Sequence, residues 1–209
     1  MQNEREDDPP RTEAEFPAER RADLVRRDPG ALELFFDVYF PRLWGYVRSL
    51  VRDRHLAEDL TQDIFLQLHR GFASYDPERE LRPWVFAVAV NRMRDHWRSR
   101  GHRATQLETS IDGDEEARID LEDERALGPL EPLLAEENAA SIREAVDSLP
   151  DTLRETLWLR AFEDLSFEEI GAIVGRNEVA VRKRYSRALA ELRRRLAGLA
   201  PLPGEDESN

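Results

Sequence analysis

Between residues 104 and 138 the chain carries twelve acidic residues against two arginines, and its leucines follow no sustained period. Such a stretch buries too little apolar surface to offset the entropy of ordering it. The expectation is therefore two compact regions, one on either side, joined by this stretch as a tether. The acidic stretch itself reads either as a solvated spacer or as a mimic of nucleic acid.

Charge divides the chain in the same way. Residues 31–100 and 142–197 each sum to +1, residues 101–141 sum to −9, and both tails are acidic, giving −13 overall. The expected organisation is a tail over 1–23, a first domain over 24–100, an acidic linker over 101–138, a second domain over 139–197 and an acidic tail over 198–209.

Within each domain the apolar residues recur at helical spacing, and no stretch alternates as a strand would. Leu34, Phe35, Val38 and Tyr39 share one face of a first pattern, which Pro41 is expected to kink or restart. Leu56, Leu60, Ile64 and Leu68 line a second, which Gly71 ends. A third helix follows from Pro83, and its far end turns basic in NRMRDHWRSRGHR. After the linker, helices are expected over Ala139–Leu149 and from Asp151 onward. The fold class is all-α, in two small helical domains.

Residues 166–196, SFEEIGAIVGRNEVAVRKRYSRALAELRRRL, give the sharpest local reading. Ser166 and Glu169 form the capping-box pattern, so a short helix should run from Phe167 to Val174. Gly175 suits a left-handed C-terminal residue, and Asn177 suits the cap of a second, longer helix. A short helix, a tight turn and a longer helix make a helix-turn-helix. Residues 176–196 hold eight basic groups and two acidic ones, a local +6 in an acidic protein. That is the electrostatic footprint of a phosphate-binding element.

Other chemistries find little support. There is no cysteine, so disulfides and thiolate metal sites are excluded. The four histidines are scattered without ligand spacing, and no Gly-rich phosphate loop appears. No metal, no cofactor and no catalytic group is expected. The N-terminus lacks a signal peptide's apolar stretch and no 18-residue apolar run exists, so a cytoplasmic protein without membrane insertion is expected.

Three segments, in order, resemble the extracytoplasmic-function (ECF) group of the sigma-70 family of bacterial transcription initiation factors. AEDLTQDIFLQLHR looks like that family's polymerase-binding motif. RPWVFAVAVNRMRDHWRSR is similar to its next helix, and residues 149–196 to its C-terminal region. The resemblance implies an alternative sigma factor that guides core RNA polymerase to promoters and aids their melting. Its implied partners are promoter DNA, the β′ clamp helices and β flap of polymerase, and an anti-sigma factor. For polymerase binding it points to Asp59, Gln62, Asp63, Leu66 and Gln67. For the −10 element it points to Tyr75, Trp84, Asn91, Arg92 and Arg98. For the −35 element it points to Arg176, Ala180, Arg182, Lys183 and Arg187. A stand-alone helix-turn-helix regulator is the alternative, and it gives no task to residues 24–100.

Overall fold

The computed structural model of the protein describes residues 15–99 and 139–199. The acidic linker and the outer tails lie outside the described residues, as does the choice between spacer and mimic. Every regular element among the described residues is helical.

Order begins earlier than the expected tail boundary. Phe16 is buried, and a short 3-10 turn (Ala18–Arg20) leads into α1 (Arg21–Val25), which buries Leu24. Asp28 then caps α2 (Pro29–Leu50): its carboxylate accepts the Ala31 N–H at 2.9 Å, and Pro29 takes the first helical position. α2 continues through Pro41 without a restart. The backbone bond that proline removes is one to Asp37, which lies on the exposed side where water can replace it. Asp53 caps α3 (Arg54–Gly71) through the Leu56 N–H at 3.0 Å. α4 spans Leu81–Ser99. α2, α3 and α4 pack around Phe35, Tyr46, Ile64, Leu68, Phe86 and Met93, all almost completely buried.

The C-terminal half comprises α5 (Ala139–Asp147), α6 (Asp151–Ala161), α7 (Phe167–Val174) and α8 (Glu178–Leu199). Ala145, Leu149, Leu153, Leu157, Ala188, Leu189 and Leu192 form a small core joining α5, α6 and α8.

The two halves are not independent bodies on a tether. Trp158, Leu159, Leu165, Ile170, Val174 and Val181 belong to the same apolar cluster as the N-terminal bundle. α6 packs on α2, and α7 packs on α4. The cause lies in α6, which is apolar on two faces. Leu153 and Leu157 point into the C-terminal core, while Trp158 and Leu159 enter the N-terminal one. With an apolar side chain on each face, α6 is buried between the two cores, and Arg154, Glu155 and Thr156 are buried with it.

Candidate nucleic-acid and polymerase interfaces

The helix-turn-helix forms as its sequence dictates. The Ser166 hydroxyl accepts the Glu169 N–H at 3.1 Å, and the Glu169 carboxylate accepts the Ser166 N–H at 2.7 Å. Gly175 adopts φ 70°, the left-handed conformation that ends α7. Asn177 accepts the Ala180 N–H at 2.8 Å and starts α8, the second helix of the motif. Gly171 is required for a different reason. A Cβ there would lie 2.7 Å from the Arg176 carbonyl oxygen, so the turn closes directly over α7.

The candidate −35 residues of the turn and of α8 differ in exposure, and one cation of α8 is buried. Lys183 is exposed, and Arg176, Ala180, Arg182 and Arg187 are half-buried. Glu178, one turn earlier, accepts two hydrogen bonds from the Arg182 guanidinium at 2.6 and 3.0 Å. The same guanidinium lies over the Phe167 ring, 4.7 Å from its centroid. Arg182 is thus held in place with its charge at the start of the helix. Arg184 does not share the outer face, as the count of eight cations supposed. It is buried at 7% exposure, where its charge opposes the desolvation of Glu155.

On α4, Trp84, Asn91 and Arg98 recur every seven residues and so fall on one side of the helix, away from its buried stripe. Asn91 and Arg98 are exposed there, and Arg98 pairs with Asp95 at 2.8 Å. Trp84 is half-buried, with its ring 4.9 Å from Tyr75 and 5.7 Å from Phe72. Tyr75 itself is buried, and its hydroxyl donates to the Arg79 carbonyl oxygen. Tyr75 therefore supports Trp84 from beneath. Arg92, the next residue round α4 from Asn91, forms an ion pair with Asp63 of α3. Residues expected to serve two partners are in this way bonded to each other.

On α3, Asp59, Gln62, Leu66 and Gln67 are exposed. Leu66 leaves 48% of its surface to solvent. Beside it lies a surface the sequence reading missed. Phe36 and Phe40 stack at 4.9 Å on the exposed side of α2, and Phe65 of α3 sits 5.0 Å from Phe36. Large apolar side chains left exposed together mark an interaction surface. The available signal was the repeat of Phe36 and Phe40 one turn apart, off the face of Phe35 and Tyr39.

A second missed group lies in the seam between the halves. Arg42 on α2 and Glu163 beyond α6 pair at 2.7 Å with side chains only 3% and 2% exposed. The Tyr46 hydroxyl donates to the Glu155 carboxylate at 2.9 Å, and both are buried. Arg82 donates to the Glu163 carbonyl oxygen and Arg94 to the Val174 carbonyl oxygen, each at 3.0 Å. Burial pushes the Glu163 carboxyl up to about 7, with Arg42 opposing. Burial likewise raises Glu155, against Arg94 and the Tyr46 hydrogen bond, and moves the Tyr46 hydroxyl well above its usual range.

No group of three or more carboxylate or histidine side chains could hold a metal among the described residues. The cleft along the seam, lined by Glu15, Tyr39, Arg82 and Glu169, encloses about 140 Å³. That is well below the several hundred Å³ of an ordinary small-molecule site. No helix of the described residues is long and apolar enough to cross a membrane.

A helical bundle carrying α3 and α4, followed by a capped basic helix-turn-helix, is the arrangement of a transcription initiation factor. Residues 35–103 match Sigma-70 region 2, and residues 139–192 match Sigma-70 region 4. The RNA polymerase sigma factor CarQ of Myxococcus xanthus is 32% identical over 84% of this chain and 97% of its own. The RNA polymerase sigma-H factor of Pseudomonas aeruginosa is 27% identical over 79% and 86%. The chain belongs to the sigma-70 family, in its ECF group. In fold it is similar to CnrH solved with the cytosolic domain of CnrY: TM-score 0.60, 22% identity, covering 88% of this chain and 99% of that one. It is also similar to a sigma factor RpoE solved with the anti-sigma factor NepR from Bartonella quintana, at TM-score 0.57 and 22% identity over 79% and 96%.

Proposed function

We propose that the protein is a non-enzymatic, cytoplasmic sigma factor with its work divided among three surfaces. α3 offers Asp59, Gln62, Leu66 and Gln67 to core RNA polymerase, and the aromatic ledge of Phe36, Phe40 and Phe65 extends that face onto α2. The outer side of α4, with Trp84, Asn91 and Arg98, takes the −10 element of one strand. An aromatic ring beside a basic group suits an unstacked base and its backbone. The start of α8 enters the major groove at the −35 element, with Arg182 and Lys183 at base edges and Arg176 and Arg187 at phosphates. Asp63 and Arg92 act as a brace between the first two surfaces, and Tyr75 as a support under Trp84.

The single observation that carries this reading is the order of the two matched regions on one helical chain, each with its polar face outward. A stand-alone regulator would need only the second. One solved neighbour is recorded with an anti-sigma factor and another with the cytosolic domain of CnrY, and a protein partner of the anti-sigma kind is proposed here.

The test is promoter-specific run-off transcription with purified core polymerase. A transcript that depends on this chain and on both promoter elements is expected. Binding of the −35 duplex without any such transcript would favour the regulator.

A further inference from the structure

Tyr75 opens the loop between α3 and α4, and Trp84 stands in the first turn of the helix that closes it. Asp76, Glu78, Arg79 and Glu80 are exposed, so the loop buries little of its own surface. Its internal bonds shape a turn: the Arg79 N–H donates to the Asp76 carbonyl oxygen at 3.0 Å, and the Glu78 N–H to the Asp76 carboxylate at 3.1 Å. One side chain ties that turn to the N-terminal segment. Arg21 of α1 places Nη2 2.6 Å from Glu80 Oε2, and Nη1 3.2 Å from Glu80 Oε1 and 3.3 Å from the Arg79 carbonyl oxygen. The same carbonyl accepts the Tyr75 hydroxyl. A carbonyl oxygen has two lone pairs, so one atom of the loop is held by both side chains at once.

We propose that Arg21 is a positioning residue for −10 recognition: it holds loop 75–80 in the conformation that keeps Tyr75 beneath Trp84, and so makes the N-terminal segment part of the −10 reader. The inference rests on the reading of the outer side of α4 as the −10 surface.

Arg21 can do this because it is itself fixed. Its side chain is only 13% exposed. The segment that carries it is pinned to α2: Leu24 is fully buried, and Phe16 meets the Phe35 ring edge-on at 6.2 Å. Arg20 pairs with Asp28, the cap of α2, at 3.2 Å. The planar guanidinium makes both carboxylate bonds and the carbonyl bond in one orientation, which the single ammonium of a lysine cannot reproduce. A line of support then runs from α2 through Arg21 and the Arg79 carbonyl to Tyr75, whose ring lies 4.9 Å from Trp84. An aromatic platform held in advance captures an unstacked base without the entropic cost of ordering the loop at that moment. The alternative is an ordinary surface ion pair, since Glu80 is exposed. Such a pair contributes little by itself. It would not share its acceptor with the residue that supports Trp84.

The experiment uses polymerase holoenzyme assembled with full-length variants. It compares transcription from a matched promoter with transcription from promoters carrying single-base changes in the −10 element. Arg21→Ala should lower that discrimination about tenfold, the worth of one hydrogen bond to a charged group, at unchanged helicity and unchanged binding of a −35 duplex. Amides of residues 72–81 should exchange faster in the free chain. Arg21→Lys and Glu80→Gln should fall between Arg21→Ala and the unaltered protein, and both are mild enough to carry the test if Arg21→Ala fails to fold. Trp84→Ala marks the reader itself. Adding Arg21→Ala to Trp84→Ala should cost nothing further, because Arg21 acts through Trp84. Unaltered discrimination in the Arg21 and Glu80 variants would overturn the proposal. So would an equal loss at every promoter, or an additive loss in the double variant. If Trp84→Ala leaves discrimination intact, the −10 reading of α4 fails and this inference with it, whereas failure of the Arg21 and Glu80 variants alone leaves that reading standing.

Discussion

Gly171→Ala should loosen the helix-turn-helix although alanine is the better helix former. Two effects oppose each other. In the interior of a helix, alanine is favoured over glycine by about 1 kcal/mol. Against that, the new Cβ would lie 2.7 Å from the Arg176 carbonyl oxygen, a backbone atom that no rotamer change can move. Relief requires the turn to lift by roughly half an ångström, the kind of overpacking that costs about 1–3 kcal/mol. Lifting the turn also strains the Arg176 N–H bond to the Gly171 carbonyl, now 2.9 Å, worth about 1 kcal/mol. The net expectation is a loss of about 1–3 kcal/mol, confined to α7, the turn and the start of α8. Gly175→Ala is the control. A Cβ there meets nothing within 4 Å, so only the φ of 70° is penalised, at about 1 kcal/mol. Hydrogen exchange read peptide by peptide is the suitable assay, because a chain of two halves need not unfold in one step. Faster exchange is expected over residues 167–190 with residues 29–71 unchanged, together with weaker binding of a −35 duplex. Equal or slower exchange in the Gly171→Ala protein would show that the turn is compliant and the close approach irrelevant.

Packing of the two halves on each other should depend on pH through Glu163, which faces Arg42 and Tyr39 from α2 and Arg82 from α4. Its carboxyl titrates near 7 when buried and near 4.5 when free, so closing takes up a proton between those values. The gain is full below pH 4.5 and is lost as pH rises through 7, by up to about 1.4 kcal/mol per unit; a Glu163→Gln protein with an unchanged pH slope in the hydrogen-exchange protection of residues 151–165 would refute this. Gln62→Ala with Asp63→Ala should weaken core-polymerase binding in a titration at unchanged helicity, and Phe36→Ser with Phe40→Ser should do the same if the aromatic ledge shares that face. Lys183→Ala should relax preference at particular −35 bases by about 1–3 kcal/mol, whereas Arg187→Ala should weaken all sequences alike and flatten the salt dependence. Neutralising Asp120, Glu122, Asp123 and Glu124 at constant length should tighten DNA binding by the free protein at low salt if the linker mimics nucleic acid, and change nothing if it is only a spacer.

What the sequence alone determined was local. The capping box at Ser166 and Glu169, the left-handed Gly175 and the Asn177 cap are each decided within four residues, and each forms as its spacing requires. The same is true of the apolar stripe of α3 and of the seven-residue recurrence of Trp84, Asn91 and Arg98. These depend on helical period and backbone hydrogen bonding, which neighbours in sequence control. Tertiary structure alone decided what joins distant residues. Arg42 and Glu163 are 121 positions apart, and nothing near either one announces a buried ion pair. Glu155 and Arg184 look like surface charges because their sequence neighbours are charged, yet tertiary packing buries both. Arg92 and Asp63 each sit among plausible ligand-binding residues, and only the crossing of α3 and α4 turns them towards each other. Burial of a charge is settled by what lies across an interface, and the distance between partners along the chain carries no trace of that.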